Sequence, residues 1–196
     1  MTSGTERVTQ ALDRFDAVVR ETPADRWNAP SPCAGWTAAA VVGHVIGGLA
    51  MIRTMLTTGR RPEPPSDDPA ILAGDHPAEA WATARAEFLD TLAAADPATT
   101  ISTPAGDLPV DVGLGQASLE LLVHGWDLAT ATGRLFPIPD ALAAPLLAEL
   151  EPLDAALRPT GMYGTYLPSQ PDAPPGERLL RFLGRDPSSP ASGRQE

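Results

Sequence analysis

The chain has 196 residues, 43% of them hydrophobic and 20% charged, with a formal net charge of −11. That balance excludes collagen-like, disulfide-scaffold and wholly disordered classes, and the length suits one domain, or one plus a short appendage, with a sizeable core. So acidic a surface opposes phosphate backbones and anionic lipid headgroups, and a single cysteine cannot form an internal disulfide.

Apolar residues Val8, Leu12, Phe15 and Val19 recur at one-turn spacing, which predicts a first helix over 5–21 stopped by Pro23. Residues 28–36 are too rich in Pro, Gly and Ser for anything but a structured loop. Thr37 then offers an N-cap and Gly59 a left-handed C-cap to a long second helix. The Pro-, Asp- and Ser-rich stretch from Arg60 to Gly74 reads as a mobile loop. A third helix begins at Pro77 and carries Trp81, Phe88 and Leu92 toward Asp96. Residues 99–112 combine β-branched side chains with a Gly-Asp turn, so a short hairpin and an extended crossover both fit. A fourth long helix is expected over 112–132, closed by Gly133, and a fifth over 139–157, disturbed at Pro145. Residues 175–184 make a last short helix, with a disordered tail over 188–196. Five helical segments with little strand signal give an all-α helix bundle.

All 14 basic residues are Arg and none is Lys, which removes Schiff-base and lysine-base chemistry. Met1 to Arg20 lacks a secretory pattern, and no apolar run approaches the ~18 residues that span a bilayer. A cytoplasmic protein without membrane or nucleic-acid partners is the expectation.

Two of the three His lie inside long helices, where His is not a favoured residue. Glu120 and His124 are four apart and stack on one helix face together with Asp127, bracketed by Leu121 and Leu128 on one side and Leu119, Val123 and Trp126 on the other. Polar groups so bracketed point inward. His44 lies on the edge of the stripe formed by Val42, Val45, Leu49, Ile52 and Leu56, beside small or flexible neighbours. Buried His and carboxylate groups need partners, and one divalent metal satisfies all three. An ordinary surface Glu–His pair is the competing explanation for Glu120 and His124.

The loop WNAPSPCAGWT feeding into AAAVVGHVIG, then ELLVHGWDLATATG and DAPPGERLLRFLGRDP, resembles the DinB-like superfamily. More narrowly, it is similar to the branch containing the metal-binding domain of mycothiol-dependent maleylpyruvate isomerase. The resemblance covers residues 5–187 and implies a four-helix bundle, up-down-down-up, with short additional helical segments. It implies His44, Glu120 and His124 as ligands of a divalent metal, zinc first and nickel or another ion as alternatives. Three protein ligands leave an open position, where an arriving thiol would lose its proton. The resemblance supplies mycothiol as that cosubstrate, and a small electrophile as its target. Its isomerase member carries a further C-terminal domain that this chain is expected to be too short to hold, which favours thiol transfer over isomerisation. A non-catalytic metal- or ligand-binding module is the alternative, and the oligomeric state stays open, a homodimer included.

Asp127, one turn beyond His124, is the candidate catalytic acid-base group, with orientation of a ligand imidazole as its other role. Trp126 reads as core and Trp36 as a helix-entry staple. Cys33 is expected to be structural, at ~10 Å or more from His44 along the helix axis. His76 reads as a solvated helix-start residue, and Arg158, Tyr163 and Tyr166 as a pocket mouth.

Overall fold

A computed structural model describes residues 3–63, 66, 68–96, 99–103, 106–161 and 163–188. Apart from Ser188, the expected disordered tail lies outside the described residues. The chain divides into two compact units, Met1–Thr132 and Gly133–Glu196.

In the first unit, α1 (Gly4–Glu21) opens on a capping box. Ser3 Oγ accepts from the Glu6 backbone N–H at 3.1 Å, and Glu6 Oε2 accepts from the Ser3 N–H at 2.8 Å. Its stripe of Val8, Leu12, Phe15 and Val19 is wholly buried. Thr37 Oγ1 caps α2 (Ala38–Thr58) by accepting from Ala40 N–H at 3.2 Å, and Gly59, at φ 69°, ends it in the left-handed region. The long fourth helix of the sequence is α5 (Val110–Ala131), preceded by α4 (Pro77–Ala94). Helix α1 packs on α5 and α4, and α2 packs on α4 and α5, closing the all-α, DinB-like bundle. Trp81 of α4 seals it. Its ring centroid is 4.6 Å from that of Phe15, and its Nε1–H donates to the buried Asp16 Oδ1 at 3.0 Å.

Three expectations change, and one choice left open is made. The stretch 60–74 contains a short helix, α3 (Ala70–Ala73), which carries buried Ala73 and packs on α2. Gly43 permits this approach, because a Cβ there would stand 1.8 Å from the Pro69 carbonyl oxygen. Of the two alternatives for 99–112 the hairpin pairing is found, β1 (Thr100–Thr103) lying antiparallel to β2 (Gly106–Pro109) with Ile101 opposite Leu108, and Val110 onward belongs to α5. Helix α2, at 21 residues and mean hydropathy 1.6, is long and apolar enough by itself to cross a bilayer, contrary to the expectation for the sequence. Half of that window is buried inside the fold, as in core helices. Lastly, the predicted fifth helix does not break at Pro145. In the second unit α6 (Asp140–Leu150) accommodates Pro145, and the α-helix ends at Glu151–Leu153, a 3-10 turn holding Pro152. Pro145 lies beyond the first turn of α6 and forgoes the N–H that would bond to the Ala141 carbonyl, yet the helix runs on through it, and Pro152 falls where the α-helix has given way to the 3-10 turn.

Helix α7 (Asp154–Leu157) follows, then α8 (Pro175–Phe182) packs on α6. Arg158 donates to the Phe182 carbonyl at 3.1 Å and lies 5.0 Å above the Phe182 ring, with Tyr166 against the same ring. Arg158 and Tyr166 thus knit the second unit together.

Candidate metal centre

His44 comes from the middle of α2 and Glu120 and His124 from successive turns of α5. Packing of α2 on α5 brings the three together. His44 Nε2 lies 3.4 Å and His124 Nε2 3.3 Å from the same oxygen, Glu120 Oε2. The edge of a tetrahedron around zinc, with bonds of about 2.0–2.1 Å, is about 3.3 Å. Two imidazole nitrogens and a carboxylate oxygen at that spacing fit a divalent cation. Exposure grades across the site: the His124 side chain is 10% exposed, His44 41% and Glu120 49%. The cluster is therefore rooted in the core and open on one side.

His124 is held from behind. Asp127, fully buried, places Oδ2 3.0 Å from His124 Nδ1. A carboxylate can only accept, so Nδ1 carries a hydrogen toward Asp127, and a cation that displaced the Nε2 proton would meet the Nε2 lone pair on the side of His44 and Glu120. Cys33 Sγ lies 3.2 Å from the same Asp127 oxygen and 3.9 Å from His124 Nδ1. The expectation that Cys33 stands far from the site is corrected. Distance along the α2 axis does not bound it, because loop 28–36 folds back before the helix begins. Trp36 N–H donates to the Cys33 carbonyl at 2.9 Å, and Pro30 bridges Thr37. Trp36 is likewise more than a staple: its ring centroid is 4.8 Å from His44 and 6.0 Å from His124, so it walls the site. Trp126 is half-buried rather than core, and His76 is exposed at the start of α4.

Proton affinities follow this geometry. Burial pushes the Glu120 carboxyl up, but hydrogen bonds from His124 and His44, with their charges, outweigh it and hold Glu120 below the usual carboxylate range. At His124 burial works against the proton, yet Asp127, Cys33 and Glu120 together raise its affinity well above the ordinary histidine value.

The family model for the mycothiol maleylpyruvate isomerase N-terminal domain matches residues 8–129. The chain belongs to this family. All three convergent donors fall within the match. An uncharacterized Mycobacterium tuberculosis relative is 32% identical over 178 residues, covering 90% of this chain and 94% of its own length. A second uncharacterized protein of that organism is 29% identical over 140 residues, 64% of this chain and 54% of its own. The crystal structure of a mycothiol-dependent maleylpyruvate isomerase matches with a TM-score of 0.74 at 15% identity, over 100% of this chain and 97% of that one. A crystal structure of a mutant of such an isomerase gives 0.59 at 17% identity, over 76% and 72%. The mycothiol maleylpyruvate isomerase N-terminal family thus supplies the fold. Coverage of 97% of that solved chain also corrects the expectation that this chain is too short to span it.

Proposed function

We propose that this family member is a cytoplasmic divalent-metal protein that uses mycothiol as cosubstrate on a small electrophile. His44, Glu120 and His124 hold the cation, zinc being the ion their chemistry suits first. The observation carrying this reading is the meeting of three donors from two helices within 4.8 Å of one another, with both His nitrogens 3.3–3.4 Å from the Glu120 oxygen. When bound, the cation supplies the positive charge that favours the thiolate form of an arriving thiol. The chain's residues do the rest. Asp127 is read as a positioning residue that fixes the His124 tautomer, since its full burial keeps it from touching substrate. Trp36 shields one side of the ligand cluster. A small recess between α2 and α5 is lined by His44, Val45, Leu49, Ile52, Ala117 and Glu120, with no Arg among the described lining residues. That lining supports an uncharged, apolar electrophile. Conjugation and cis–trans isomerisation share the first step, attack of sulfur on carbon, so both remain within this proposal.

The test is incubation of metal-loaded protein with mycothiol and a panel of electrophiles, followed by mass spectrometry and chromatography. Mycothiol-dependent conjugate or isomer is the expected product. Saturable mycothiol binding with neither product would support a non-catalytic binding module instead.

Metal affinity has a stated pH dependence. A cation must displace the proton from His124, so affinity falls as pH falls, by about tenfold per unit for each displaced proton below the His124 titration. The metal-free chain responds oppositely to His124. A histidine whose proton is held more tightly in the folded state contributes stability fully present below its ordinary value of 6.5, and lost as pH rises through its folded titration. Chelator competition and denaturant unfolding across pH 5–9 check both signs, and an affinity flat with pH would contradict the first.

A further inference from the structure

Behind the convergent donors stands a second cluster, in which Cys33 Sγ and His124 Nδ1 both approach Asp127 Oδ2, at 3.2 and 3.0 Å. A carboxylate oxygen has room for two donors, and a fully buried one needs them. We propose that Cys33 is a positioning residue for the metal ligand His124, acting through Asp127. Its thiol donates to Oδ2 and holds the carboxylate where it receives the His124 Nδ1–H, which keeps Nε2 aimed at the cation. This rests on the metal-centre reading above.

The loop carrying Cys33 is a built mount. Cys33 N–H donates to Ser31 Oγ at 3.2 Å, the Cys33 carbonyl accepts from Trp36 N–H at 2.9 Å, and Ser31 N–H donates to the Trp36 carbonyl at 2.9 Å. Ala38 N–H and Ala39 N–H return to the carbonyls of Ala29 and Trp27, both at 2.9 Å, tying the loop to the first turn of α2. The thiol therefore reaches α5 from an element separately anchored beside His44, and couples the two helices that supply the ligands.

The same three atoms are also a possible donor set for a cation, and their distances favour the hydrogen-bonded arrangement. In a tetrahedral centre the sulfur–nitrogen edge is about 3.6 Å and the nitrogen–oxygen edge about 3.3 Å. Here they are 3.9 and 3.0 Å, the second a hydrogen-bond length.

The experiment is cobalt(II) titration of the full chain against a competing chelator for native protein, Asp127→Ala, Cys33→Ala and Cys33→Ser, with thermal unfolding of each metal-free form. Asp127→Ala is expected to weaken cobalt by about 10–100-fold and Cys33→Ala by about tenfold, the low end for groups that orient a ligand. Cys33→Ser, which keeps a donor, should stay within about threefold of native, although both Cys33 variants shift the melting temperature alike. Native affinity in Cys33→Ala, or a Cys33→Ser as weak as Cys33→Ala, overturns the inference alone. So does a thiolate-to-cobalt absorption band in native protein that Cys33→Ser abolishes, since Cys33 is then a ligand. Failure of native protein to bind cobalt overturns the metal-centre reading, and the inference with it.

Discussion

His44→Ala protein is expected to purify with almost no divalent metal, where the native chain carries about one equivalent, as suits a single three-donor centre. Without His44 only Glu120 and His124 remain, both on α5, and the donor bridging in from α2 is gone. Affinity should fall by at least about 100-fold, beyond the 10–100-fold range for groups that merely orient a ligand. The fold should survive, because the His44 side chain is 41% exposed and its removal opens no core cavity. Elemental analysis beside far-UV circular dichroism separates the two effects. Full metal content in folded His44→Ala would refute the ligand assignment.

Trp81→Ala carries the largest expected loss of stability. The side chain is 1% exposed, among the largest fully buried groups, and packs on Phe15 across α1 and α4. Truncating a buried aromatic to Ala costs about 3–5 kcal/mol. The change also removes the Nε1–H that satisfies buried Asp16, which retains its pairing with Arg20 at 2.9 Å. Against total stabilities of about 5–15 kcal/mol, that loss is a large fraction. Trp81→Phe keeps most of the ring and loses only the donor, so its cost should be about 1–3 kcal/mol. Urea unfolding of the metal-free forms measures both. A Trp81→Ala cost below about 1 kcal/mol would contradict the packing described here.

Much of this was legible in the residues themselves. Four-residue spacing put Glu120 and His124 on one face and the stripe of α2 placed His44 at its edge; the inward turn expected from the apolar flanks holds for His124 and Asp127 but not for Glu120, whose side chain is 49% exposed. Periodicity reports which face a side chain occupies, and for regular helices that suffices. It reports nothing about a loop that reverses direction, which is why Cys33 and Trp36 were misplaced although they stand against His124 and His44. The Pro-Cys turn before the Thr37 cap was the available signal. Helix α3 escaped for a related reason: four residues contain barely one turn, and its place is set by packing on α2 and α4, including the close approach of Pro69 to Gly43.

X-ray absorption at the zinc edge, on zinc-loaded protein before and after mycothiol is added, tests the convergence of the three donors most directly. Before addition the spectrum should show two imidazoles and light oxygen scatterers with no sulfur, at bonds of about 2.0–2.1 Å, and one sulfur at about 2.3 Å should enter with the thiol. Fewer than two imidazoles, or sulfur already present in the thiol-free protein, would contradict it.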